Sequence, residues 1–207
     1  MAAQDNVDKI VLSIFGSSGF FVDAGCNDYN EQNNTFDLER AGWSGIAIDA
    51  QIRYEAGFLL NRPATKFVHA AIVSDEYDKG VITLHGGGMT ATCSDTSDST
   101  ESFIAPARTL QQIFDDKSIT TVDFLSLDLE GFEHEAISGI DFSKMDIKVI
   151  CAEHHGFVPN YKSYDYMESL GYKKFYTSNG DGGEGDIWHR WFAKTDLELN
   201  LDFLKEL

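Results

Sequence analysis

The chain has 207 residues, a length that one α/β domain can fill around its own core without disulfide staples. A hydrophobic content of 43 % with only 3 prolines describes a globular protein and excludes an intrinsically disordered one. The formal net charge of −18 argues against nucleic acid as a partner, because the densest basic cluster, Lys173-Lys174, is too small to overcome that field; acidity that keeps the protein soluble is the simpler reading.

Along the chain, short apolar runs alternate with amphipathic stretches, the pattern of a parallel sheet with crossover helices. Ile10–Phe15 is apolar but far too short to span a bilayer, so neither a membrane segment nor a signal peptide is expected. Phe20–Ala24 reads as a first strand, and Asn34–Ala41 as a helix stopped by Gly42. Ile46–Ala50 is a second strand, followed by a helix over Tyr54–Asn61 that Arg62-Pro63 closes. Phe67–Val73 is a third strand. Gly86–Thr100, rich in Gly, Ser, Thr and Asp, is either a lid or a plain connection. Thr109–Asp115 places Leu110, Ile113 and Phe114 on one helical face. Asp123–Asp128 is a fourth strand, Phe132–Ser138 a helix ending at Gly139, and Lys148–Glu153 a fifth strand. Tyr164–Leu170 is a helix ending at Gly171, and Lys173–Thr177 and Ile187–Lys194 are two last strands around a loop with Asn179-Gly180 and Asp181-Gly182 turns. The expectation is one domain over residues 1–207, its core at about 19–194, with a doubly wound, mostly parallel seven-stranded sheet. Cys26, Cys93 and Cys151 form no CxxC pair, which favours free thiols in a reducing, cytoplasmic setting.

Open parallel sheets bind ligands at the carboxyl ends of their strands. Those ends here read Val22-Asp23-Ala24-Gly25-Cys26-Asn27, Ile48-Asp49, Asp128-Leu129-Glu130-Gly131 and Glu153-His154-His155, so four of them carry acids. A dinucleotide would want G-x-G-x-x-G on a helix N-terminus, yet only Gly25 is in place, with Asn27 and Asn30 at the other two positions. S-adenosylmethionine (SAM) has no phosphate and carries an ammonium and a sulfonium. Acids around such a cation gain roughly 4 kcal/mol per close pair at an effective dielectric near 20. Asp23 suits the ammonium, and Asp49 can accept hydrogen bonds from ribose hydroxyls.

The blocks FVDAGCND (Phe21–Asp28), Asn33-Asn34-Thr35, Leu38-Glu39, GWSGIAIDA (Gly42–Ala50), Asn61-Arg62-Pro63, AAIVSD (Ala70–Asp75), Thr109-Leu110 and DFLSLDLEGFEHEAISGI (Asp123–Ile140) resemble the FkbM-type methyltransferases. The resemblance implies a Rossmann-like class I methyltransferase fold, SAM as donor and, usually, a hydroxyl oxygen as acceptor, in glycan sugars or natural products. It further implies donor contacts from Asp23, Gly25, Cys26, Asn27, Asn34, Asp49, Ala50, Ala71 and Asp128. Two positions depart from the family pattern: Tyr29 stands where glycine is frequent, either covering the donor or reshaping the loop, and Asp49 stands where glutamate is frequent.

Methyl transfer to a hydroxyl calls for in-line alignment and a base. Asp128 is the first candidate base; Glu130 contacts donor or acceptor, or else caps the helix after it. His154 or His155 could supply an imidazole. Asp128, Glu153 and His154 form an alternative divalent-metal set, which the reading does not favour. His69, His85, His134 and His189 read as structural, as does Trp43, and Trp188, Trp191 and Phe192 read as core rather than as a sugar-stacking platform. The expected activity is O-methylation of a small-molecule or glycan acceptor, most readily a sugar hydroxyl. A small NAD-dependent dehydrogenase and a catalytically silent binding domain are the competing readings.

Overall fold

Apolar strands need cover on both faces, and the computed structural model supplies it. It describes residues 3, 6–86, 101–153, 161–179 and 187–205. In chain order the elements are α1 (Val7–Phe15), β1 (Phe20–Ala24), α2 (Phe36–Ala41), β2 (Ser44–Asp49), α3 (Glu55–Asn61), β3 (Thr65–His69), β4 (Ala71–Ile72) and β5 (Val81–His85). They continue with β6 (Ser102–Arg108), α4 (Leu110–Lys117), β7 (Thr121–Leu127), α5 (Glu133–Ser138), β8 (Asp146–Glu153), α6 (Tyr161–Ser169), β9 (Tyr172–Asn179) and β10 (Ile187–Lys194). The main sheet has 7 strands in the order β3-β2-β1-β7-β8-β10-β9. Its first five strands are mutually parallel, and β10 runs antiparallel to both β8 and β9. This is the doubly wound sheet that the sequence led us to expect. The strand order reverses between β1 and β7, which places the ligand crevice beyond their carboxyl ends.

Successive strand residues face opposite sides, and the core divides accordingly. Val22, Ile46, Leu125 and Ile150 pack with Leu110, Ile113 and Phe114 of α4, Ile137 of α5 and Met167 of α6. Phe21, Phe124, Val149 and Trp191 face the other way, onto Val7, Ile10 and Val11 of α1, Leu38 of α2 and Trp43. The Trp191 and Phe124 rings stack 5.7 Å apart, so Trp191 belongs to the core. Each such fully buried side chain contributes about 1.5–3 kcal/mol.

Three features depart from the expected elements. The Ile10–Phe15 run is the end of α1, whose Val7, Ile10 and Val11 lie three and four residues apart and so share one buried face. The third strand is two strands: β3 ends at His69, Ala70 N–H donates to Asp49 O (3.0 Å), and Ala71–Ile72 leaves to pair with β6. A second sheet, β4-β6-β5, therefore stands beside the first. Its β5 and β6 bury only Leu84 and Ala105, a half-buried pattern too sparse to register as strands in the sequence. Gly86 N–H donates to Glu101 O (2.9 Å) at the base of the 87–100 stretch, which lies outside the described residues, as does 180–186. Helix ends fall where the local chemistry directs them: Thr109 caps α4 in a capping box with Gln112, and Gly42 ends α2 at φ 120°. No helix among the described residues is long and apolar enough to cross a membrane.

Candidate active site

The β1 turn is built around one close approach. Gly25 has φ +85°, and a Cβ there would lie 1.7 Å from the backbone oxygen of Asp128. Only glycine lets the two strand ends meet. Gly25 and Cys26 N–H both donate to Ile48 O (2.9 and 3.1 Å), and Asn27 N–H donates to Asp49 Oδ2 (2.9 Å). Asp49 Oδ1 accepts from Gln51 N–H (2.7 Å). Asp49 therefore ties the ends of β1 and β2 together, and among the described residues each of its oxygens accepts one hydrogen bond and keeps a second acceptor site. Its burial pushes its carboxyl above the ordinary range, against the two N–H donors. Ala50 and Ala71 meet in the small apolar cluster with Leu84 and Ala105 beside it, and the ring Nε2 of His69 lies 2.9 Å from Ala50 O.

Asp23 sits deeper, at 1 % exposure. Its Oδ2 accepts from Thr35 Oγ1 (2.9 Å), and burial lifts its pKa to about 6 although Thr35, Arg62 and Ser126 all oppose the shift. Asn34 Nδ2 donates to Ser126 Oγ (3.2 Å), while its buried Oδ1 accepts from none of the described residues. The Cys26 side chain points away from the crevice into a cluster with Ala47 and Phe58, and burial together with Asp49 raises its thiol pKa well above normal. Cys26 thus serves the turn through its backbone.

Beyond β7 and β8, carboxylate oxygens of Asp128, Glu130 and Glu153 lie within 4.8 Å of one another. Burial, then the charge of Glu153 and the hydrogen bond shared with it, hold Asp128 well above its usual pKa. Burial also lifts Glu153 to about 7. Like charges this close cannot both ionise cheaply, so the pair shares one proton. The same oxygens are hard donors spaced as a divalent cation would need. The turn between β7 and α5 runs through Glu130 (φ 53°) and Gly131 (φ 97°). Glu133 organises it: Glu133 Oε1 accepts from both Leu129 N–H (2.9 Å) and Gly131 N–H (3.3 Å).

A family model described as a methyltransferase FkbM domain matches residues 23–174, well over half of the chain and all the strand ends just described. The chain belongs to the FkbM methyltransferase family. Among solved structures, this FkbM chain is similar to a magnesium protoporphyrin IX methyltransferase from Synechocystis PCC 6803 with bound SAM. The identity is 12 %, the TM-score 0.53, and the match covers 92 % of this chain and 79 % of that one. It is also similar to TrmK of M. capricolum in complex with S-adenosyl-homocysteine, at 14 % identity and TM-score 0.53, over 96 % of this chain and 72 % of that one. At such identities the likeness shows the fold, that of class I methyltransferases. No curated protein matches the chain.

Within the FkbM frame the unusual Tyr29 resolves. Its ring packs on α3, where a Cβ on Gly57 would come within 2.7 Å of it, and joins the cluster of Cys26 and Phe58. Tyr29 anchors the loop rather than covering the strand ends. His154 and His155 lie outside the described residues. His189, read from sequence as structural, is buried and in register with Glu153 across the β8–β10 ladder. Nothing local in the sequence signals that pairing. Glu133 was missed for a different reason: its role depends on the left-handed turn before it.

Proposed function

We propose that this FkbM methyltransferase binds SAM across the β1–β7 switch point and methylates a hydroxyl oxygen, most readily of a sugar in a glycan or glycosylated metabolite. The observation that supports this best is the concentration of carboxylates at one end of one sheet, with a glycine turn pressed against them. That chemistry fits a cationic, phosphate-free donor and opposes a pyrophosphate. SAM, when bound, supplies an electrophilic methyl group and departs as S-adenosylhomocysteine. Asp49 offers its two remaining acceptor sites to the ribose hydroxyls. Asp23, almost fully buried, acts on the donor ammonium by its field or through water.

A sugar hydroxyl attacks poorly until its proton has somewhere to go. The Asp128–Glu153 pair provides that destination: it shares one proton and accepts a second, from the hydroxyl, as the new C–O bond forms and the C–S bond breaks. Base and partner thus form a unit wider than Asp128 alone. Mass spectrometry of candidate glycans incubated with isotopically labelled SAM tests the proposal. Label on a sugar oxygen is the expected result; label on nitrogen, carbon or nowhere across a broad acceptor panel would overturn it.

A further inference from the structure

The residues between β1 and α2, 25–35, form no helix or strand, yet the donor contacts expected of Gly25, Cys26, Asn27 and Asn34 all lie on them. An irregular segment holds one shape only if its backbone groups are satisfied from outside. Arg62, just after α3, does this. Its side chain is 1 % exposed and its Nε donates to Glu39 Oε2 (2.5 Å). Nη1 donates to Tyr29 O (2.9 Å) and Asn33 Oδ1 (3.1 Å). Nη2 donates to Thr35 O (3.0 Å), Thr35 Oγ1 (3.3 Å) and Thr65 Oγ1 (3.2 Å). Phe21, Phe36 and Phe58 surround the guanidinium at 5.9, 5.6 and 5.4 Å. Two of its partners pass the restraint onward: Asn33 Nδ2 donates to Cys26 O (2.9 Å) and Asp28 O (3.0 Å), and Thr35 Oγ1 donates to Asp23 Oδ2.

We propose that Arg62 is the positioning residue of the donor turn, holding residues 26–35 in the one shape that receives SAM. The inference rests on reading that turn as the donor site. The five N–H donors of a rigid fork reach the segment at residues 29, 33 and 35 at once, which a lysine ammonium cannot do although it keeps the charge. A turn left to fluctuate must be ordered on binding, and misplacement by about 1 Å costs up to roughly 100-fold.

The test is calorimetric titration of S-adenosylhomocysteine into wild type, Arg62→Lys, Asn33→Ala and Ile147→Ala, with amide hydrogen exchange of residues 26–35 followed alongside. Ile147→Ala opens the core at the start of β8, at the opposite end of the parallel strands from the turn, so it lowers stability but leaves affinity unchanged. Arg62→Lys and Asn33→Ala weaken binding roughly 10- to 100-fold and speed exchange in 26–35 while the β1 amides stay protected. Binding by a folded Arg62→Lys within about twofold of wild type overturns the proposal, as does equal weakening in Ile147→Ala at matched unfolding midpoint. If Arg62→Lys does not fold, Asn33→Ala decides by the same criterion. Absence of heat from wild type overturns instead the donor-site reading beneath it.

Discussion

Replacing Asp23 with asparagine separates what the buried acid costs the fold from what it gives the donor site. Asparagine keeps an oxygen for Thr35 Oγ1 and cannot ionise. In the native protein burial raises the Asp23 pKa from 3.8 to about 6. A carboxylate whose folded pKa is raised binds its proton more tightly in the native state. Its contribution is therefore fully favourable below the unfolded pKa and is lost as pH rises through the folded one. The whole loss is on the order of 3 kcal/mol, of which about 1.4 kcal/mol falls between pH 5 and pH 8. Urea unfolding of wild type and Asp23→Asn at those two pH values isolates the term, since the other raised carboxyls cancel in the double difference. The variant should gain about 1.4 kcal/mol on wild type in going from pH 5 to pH 8, while its affinity for S-adenosylhomocysteine falls. A stability of the variant relative to wild type that is the same at both pH values, or higher at pH 5 than at pH 8, would refute the reasoning.

Gly25→Ala forces a carbon to 1.7 Å from the Asp128 oxygen at φ +85°. It should cost about 2–4 kcal/mol in unfolding experiments and abolish calorimetric donor binding. Asp49→Ala leaves Asn27 and Gln51 N–H without their acceptor and removes the ribose partner, so S-adenosylhomocysteine affinity should fall roughly 10- to 100-fold. Turnover at saturating donor should rise with pH through about 7, the value to which burial lifts Glu153, and Glu153→Gln should abolish that rise. The Asp128, Glu130 and Glu153 cluster, taken as a proton-sharing group, predicts turnover unchanged by chelators; loss with EDTA and recovery with Mg²⁺ would make it a metal site instead.

Much of the architecture is written locally. Apolar runs of strand length, glycine stops such as Gly42 and Gly171, and the capping threonine Thr109 follow from backbone sterics and hydrogen bonding within a few residues. Those signals are enough to find the strands of a doubly wound sheet and to place acids at the ends of four of them, though not to order the strands in space. Where the signal needed alternating burial across a partner, as in β5 and β6, or a strand that changes sheets, as at Ala70, it failed. Register and sheet membership depend on contacts that a linear pattern does not contain.

At the site the same division holds. The sequence alone determined that this is an α/β protein with a carboxylate-rich rim and the FkbM blocks, because residue type and order carry charge and turn chemistry directly. Only the tertiary structure decided how those groups are used. It buried Asp23 beneath Thr35, laid Tyr29 on Gly57, paired Asp128 with Glu153, set His189 opposite them, and brought Arg62 to a loop about thirty residues upstream. The physical reason is that desolvation and hydrogen-bond geometry, which set pKa and position, are properties of the neighbours in space rather than of the neighbours in the chain.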